Sequence, residues 1–207
     1  MSTAVKPIPD GSPRRRRIPN GSNSSAFLDG VIDRMTQLRR ERGMGRFAFA
    51  APHPGAGTTH VVNLVAEQLV ARYRSTVAVV PTSALRENHP SNIPLDFFES
   101  APGVFLATSA AQLQGVPGPG LGRVRTRPSA EDFDYTVIDC RALLTGAHAL
   151  RWTNSADGVF LVVAAGMTHV NQIEETQRLL KASASRLEGI ILNRRNYPIP
   201  KFLYKLL

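Results

Sequence analysis

Residues 46–59, RFAFAAPHPGAGTT, constrain the fold more than any other stretch of the chain. They begin as an apolar strand, break at Pro52, Pro54, Gly55 and Gly57, and enter a helical pattern at Thr58 and Thr59. A strand, a glycine loop and a helix N-terminus in succession form an anion cradle, because unpaired backbone N–H groups and the helix dipole both favour negative charge there. Gly55, Ala56, Gly57, Thr58 and Thr59 are the candidate phosphate contacts. Phosphate loops of this kind ordinarily end Gly-Lys-Ser/Thr, with the lysine on the terminal phosphates and the hydroxyl on magnesium. Here Thr59 holds the hydroxyl position and Thr58 the lysine position. The cradle keeps its backbone and lacks its charged arm. The alternative role for Thr59 is a helix N-cap.

The flanking segments repeat a strand-then-helix pattern. A leading amphipathic helix is expected within 26–45, with Phe27, Leu28, Val31, Met35 and Leu38 recurring at helical spacing before Gly43 and Gly45 stop it. It either packs on the domain or offers a docking face. The helix after the loop, 58–74, should bury Val61, Val62, Leu64, Val65, Leu69 and Val70. Strands are expected at 76–80, 103–107, 134–139, 158–164 and 187–192, several of them apolar throughout, as parallel strands covered on both faces are. A short apolar segment, 95–98, precedes the strand at 103–107, and helical sequence fills 143–153 and 170–184. Residues 115–128, rich in Gly, Pro and Arg, should carry no element of their own. Such alternation predicts an α/β fold with a doubly wound, mostly parallel sheet in one domain, 26–207. Residues 1–25 hold four prolines and no apolar periodicity, and are expected to be a disordered basic tail.

Charge is unevenly placed. Of a net +9, residues 1–45 carry nine Lys/Arg against four Asp/Glu, and residues 181–207 carry six against one. Basic ends attract nucleic acid, anionic lipid or acidic protein surfaces. For the run Arg14, Arg15, Arg16, Arg17 a merely solubilising role is equally open. No run reaches the ~18 apolar residues of a membrane span, and no apolar core follows the N-terminal arginines as a secretory signal would require. The single cysteine, Cys140, excludes an intramolecular disulfide and a cysteine zinc cluster, and is expected to be a small buried residue. His53 and His60 lack a carboxylate or thiolate partner and read as loop and surface residues. The end of the chain, KFLYKLL, is basic and apolar but too short to hold a membrane strongly.

Asp139 closes the run Tyr135-Thr136-Val137-Ile138, the place where a phosphate-loop protein keeps its magnesium-ordering carboxylate. It is the one catalytic candidate, and Thr59 with Asp139 are the magnesium candidates. Together with the loop, FDYTVIDCRALL, ADGVFLVVAAGMT and EGIILNRRNYPIP resemble the cytoplasmic bacterial tyrosine kinases of capsule and exopolysaccharide synthesis, which are Par/Min-type P-loop ATPases. The resemblance covers 46–80 and 133–200. It implies a P-loop NTPase-type domain, ATP and magnesium as cofactors, and a nucleotide base beside Asn193, whose alternative role is to end its strand.

The departures from that family fall at its chemistry. Its loop lysine is Thr58 here, and its Asp-x-Asp motif reads Pro81-Thr82-Ser83. Phosphoryl transfer rests on positioning and charge neutralisation, so ATP chemistry should be weak or absent. Near the end stand only Tyr197 and Tyr204 in place of a tyrosine cluster, and Asp33 with Arg39 and Arg40 approximate the family's subunit-contact signature. The segment before Phe133 is shorter than in the family and lacks a helix. The resemblance therefore implies a degenerate, cytoplasmic accessory partner of a membrane polysaccharide co-polymerase or chain-length protein, at the inner face of the plasma membrane. Self-association and peripheral membrane contact through the basic ends fit the same picture; nucleic acid does not. Two other functions stay open: an active kinase that phosphorylates Tyr197 or Tyr204, and a Par/Min-like positioning ATPase on DNA or membrane.

Overall fold

The computed structural model describes residues 26–82, 96–108, 124–125, 132–140, 142–146 and 148–194. The expected tail 1–25 with its arginine run, Ser83, Tyr197, Tyr204 and 201–207 lie outside the described residues. In chain order the elements are α1 (Ala26–Arg42), β1 (Arg46–Ala50), α2 (Thr58–Tyr73), β2 (Val77–Pro81), β3 (Asp96–Ala101), β4 (Val104–Thr108) and β5 (Val124–Arg125). Then come β6 (Tyr135–Asp139), a 3-10 turn (Leu143–Thr145), α3 (His148–Asn154), β7 (Gly158–Ala164), α4 (Val170–Ala182) and β8 (Leu187–Asn193).

The strands form one eight-stranded sheet in the order β5-β3-β4-β2-β6-β1-β7-β8. From β4 to β8 every neighbouring pair is parallel, and β3 and β5 add an antiparallel margin. The fold is thus α/β with a mostly parallel, doubly wound sheet. The chain leaves central β1 for β2 on one side and later crosses to β7 on the other. Ligands of such sheets bind beyond the carboxyl ends of the strands at that reversal, which here is where the glycine loop emerges.

Period-two alternation along β1 divides the core. Phe47 and Phe49 face the layer of α1 and α2, where Phe160 stacks on Phe49 at 5.3 Å and lies 6.1 Å from Phe47. Ala48 and Ala50 face the other layer with Ala149 of α3 and Leu180 of α4. In α2 the buried residues are Val61, Val62, Val65, Ala66 and Leu69, with Leu64 and Val70 half-buried. Helix α1 packs on the domain through Leu28, Ile32, Met35 and Leu38, all fully buried. Arg34 of α1 binds Glu188 of β8 at 2.7 Å, and Asp29 binds Arg72 of α2 at 2.6 Å.

Two acids from the quoted motifs tie the strand starts, away from the loop. Asp134 accepts from the Thr76 backbone at 2.8 Å and from Arg39 at 3.1 Å, while the Arg39 guanidinium also lies 5.0 Å over the Tyr135 ring. Asp157 accepts from the backbone N–H groups of Gly45 and Arg46 at 3.0 and 2.8 Å. Arg39, a candidate subunit contact by sequence, is therefore engaged within its own chain, while Asp33 and Arg40 are exposed.

Three local expectations need correction. The apolar segment at 95–98 is part of a full strand, β3, which turns at Gly103 (φ +78°) into β4 as an antiparallel hairpin. Residues 115–128 do carry an element, the two-residue β5, which pairs with Phe97 and Phe98. Two residues cannot show periodicity, so only the pairing reveals that strand. The helix expected over 143–153 is broken into the 3-10 turn and α3, with the backbone fully extended at Gly146.

Candidate functional site

The glycine loop sits between β1 and α2, as its sequence implies. Gly55 and Gly57 adopt left-handed conformations (φ +84° and +88°), which L-residues rarely tolerate. At Gly57 a second constraint operates. A Cβ there would lie 2.3 Å from Asn193 Nδ2, so any side chain would displace the Asn193 amide. Asn193, at the end of β8, donates from Nδ2 to the Ala56 carbonyl at 2.8 Å. It therefore holds the loop from behind, and it is not among the residues lining the cleft in front.

His53 fastens the other side of the loop. Its Nδ1 lies 2.9 Å from the Pro54 carbonyl, which can only accept, so this nitrogen carries the proton. In the neutral ring Nε2 then accepts from the Thr168 hydroxyl at 2.8 Å, and that hydroxyl accepts in turn from the Ala164 N–H at 2.9 Å. Sequence reasoning treated His53 as an ordinary loop residue. No spacing signal links it to Thr168, 115 residues away.

In front of the loop is a cleft of about 370 Å³, lined among others by His53, Gly55, Thr58, Thr59, Asp139 and Arg194. The structure thus brings Gly55, Gly57, Thr58, Thr59 and Asp139 to one place, while Ala56 is buried in the core behind them. Thr59 Oγ1 donates to Asp139 Oδ2 at 2.7 Å. Asp139 is only 7% exposed. Next to it, in register, stands Pro81, and Thr82 donates from its N–H and its hydroxyl to the Asp139 carbonyl at 3.0 and 2.9 Å. Pro81 holds the first Asp position of Asp-x-Asp and supplies no carboxylate, Thr82 is the middle position, and Ser83, the second Asp position, lies outside the described residues. Among the described residues no group of three or more His, Cys, Asp or Glu converges as a metal site. Cys140 is buried as expected, and burial, with the Asp139 charge beside it, pushes its thiol far up. It is inert as a nucleophile.

Burial raises the Asp139 carboxyl above the ordinary carboxylate range, against a smaller lowering by the Thr59 hydrogen bond. The native state therefore binds this proton more tightly than the unfolded chain does. Its contribution is most favourable below the unfolded pKa and declines as pH rises through the raised folded value. Asp139→Asn removes that penalty and keeps an acceptor for Thr59. The variant should melt above the wild type at neutral pH, with the gap closing toward acid. Thermal unfolding followed from about pH 4 to 8 checks it.

No protein-family model matches the chain. Among curated proteins it is similar to the tyrosine-protein kinase CpsD of Streptococcus agalactiae serotype III (strain NEM316), 33% identical over 70 residues. That match covers 34% of this chain and 30% of the relative, so the chain aligns with under a third of the relative's length. Over the aligned residues the chain is similar to bacterial tyrosine kinases. Solved structures carry the same fold at low identity. The VpsO kinase domain superposes with a TM-score of 0.59 at 15% identity, over 84% of this chain and 95% of that one. The kinase domain of the Escherichia coli tyrosine kinase ETK gives 0.55 at 15%, over 84% and 83%. A plasmid-partition-type protein of Borrelia burgdorferi B31, bound to AMPPNP, gives 0.54 at 15%, over 79% and 80%. The fold is therefore that of P-loop NTPases. Among the described residues no helix is long and apolar enough to cross a membrane.

Proposed function

We propose that this chain is a degenerate member of the tyrosine kinases of capsule and exopolysaccharide synthesis. It binds nucleotide weakly through the loop, transfers no phosphoryl group, and serves as an accessory partner at the cytosolic end of a membrane chain-length protein. The observation that carries this proposal is the surroundings of Asp139: one buried carboxylate beside Pro81 and Thr82, facing a loop with Thr58 in place of lysine.

The site fits a nucleotide's phosphates better than it fits their transfer. The loop backbone at Gly55–Gly57 and the start of α2 would hold the phosphates. Thr59 and Asp139 would hold magnesium carried in with them, and a magnesium ion commonly takes only one or two protein oxygens. That ion would neutralise phosphate charge. The remaining work in this superfamily, drawing on the terminal phosphate and ordering the attacking oxygen, belongs to the lysine and the Asp-x-Asp pair. The chain supplies neither, with Thr58, Pro81 and Ser83 at those positions. The family resemblance supports the membrane partner, and the basic residues 1–25 would form its peripheral contact.

Incubation with magnesium-ATP, followed by phosphotyrosine detection and ADP release, tests the catalytic half. No signal above that of Asp139→Ala is expected. Phosphate on Tyr197 or Tyr204 that disappears in this variant would overturn the proposal in favour of an active kinase. Titration with the cytosolic segment of the chain-length protein from the same cell tests the other half, and saturable binding is expected from the catalytically silent chain.

A further inference from the structure

We propose that Arg194 supplies, from the end of β8, the positive charge that the phosphate loop lacks, and contacts the outer phosphates of a nucleoside di- or triphosphate. This rests on the nucleotide-binding half of the proposed function.

Position is the first argument. Asn193 is pinned on two sides: its amide holds the Ala56 carbonyl, and its own carbonyl accepts from the Ala165 N–H at 2.8 Å. The next residue, Arg194, is held in a left-handed conformation (φ +56°), uncommon for a residue with a side chain. Its side chain approaches the loop, with Nε 3.9 Å from the point where a Gly57 Cβ would lie. It lines the same cleft as Thr58, Thr59 and Asp139.

Charge is the second argument. Of the described residues lining the cleft, Arg194 is the one Lys or Arg. Other arginines of the domain are engaged with acids: Arg34 and Arg186 with Glu188, Arg39 with Asp134, Arg72 with Asp29. Among the described residues Arg194 donates to the Met167 sulfur at 3.7 Å, a weak acceptor that a phosphate oxygen would readily replace. A guanidinium presents paired N–H donors that match phosphate oxygens, and its charge is fixed at every relevant pH. The cation thus enters from the strand side of the loop, where the family's lysine enters from the helix side.

The test is a calorimetric titration of the full chain with magnesium-ATP, magnesium-ADP and AMP, using wild type, Arg194→Gln and Arg194→Lys. Loss of one charge-assisted phosphate contact should weaken ATP and ADP about 10–100-fold in Arg194→Gln, with AMP unchanged. Arg194→Lys should retain most of the ATP affinity. Equal ATP affinity in Arg194→Gln and wild type overturns the assignment and leaves the nucleotide cleft standing. A matching loss for AMP also overturns it, placing Arg194 on the base or ribose. No binding of ATP by wild type at millimolar concentration defeats the nucleotide-binding half of the proposed function, and this assignment with it.

Discussion

Phe160→Ala should lower the unfolding free energy by about 3–5 kcal/mol, the range for emptying a buried aromatic site. Phe160 is 2% exposed, stacks on Phe49, and stands between Phe47 and the β8 backbone, where a Cβ on Gly189 would meet its ring at 3.4 Å. Central β7 and β1 cannot close around the missing ring, since each is hydrogen-bonded on both sides. The urea midpoint should fall with little change in slope, and the melting temperature should drop by roughly 6–20 °C. Phe160→Leu should recover part of the loss. A change below about 1 kcal/mol in the alanine variant would mean that the two-layer core is packed otherwise than described.

The second large effect is a gain. Thr58 opens α2 and lines the cleft, at the position where the family carries its lysine. Thr58→Lys adds an ammonium to a frame whose backbone is already set by Gly55, Gly57 and Asn193. The new charge-assisted contact should tighten magnesium-ATP binding about 10–100-fold. Phosphoryl transfer should not return, because Pro81 and Ser83 still stand where carboxylates are required. Thr58→Val serves as the control and should show no gain. An affinity for Thr58→Lys equal to that of wild type would mean that the loop does not present its phosphate-binding geometry.

What could be read from the sequence follows from what kind of signal each feature leaves. The glycine loop was legible because strand, glycines and helix are consecutive, and β6 and β7 were legible because strands buried on both faces are continuous apolar runs, whereas β8 was read from its apolar GIIL although it forms the sheet's edge and leaves Ile190 and Leu192 exposed. Asp139 stood out as a lone acid at the end of such a run. Features made by distant residues left no trace. Asn193 holds Ala56 across 137 positions, His53 binds Thr168 across 115, and Arg39 engages Asp134 across 95. The hairpin of β3 with β4 was half-visible: Phe97 and Phe98 marked an apolar segment, but Glu99 and Ser100 masked its continuation as a strand. Arg194 lay in plain view within IILNRR, yet only its approach to Gly57 distinguishes it from the other basic residues near the end of the chain.

The central claim is that the phosphate loop survives in shape while its charges have been lost. Calorimetric titration of the unmodified chain with magnesium-ATP tests it most directly. The account predicts a dissociation constant between about 10 μM and about 1 mM; tighter binding, or none at millimolar concentration, would contradict it.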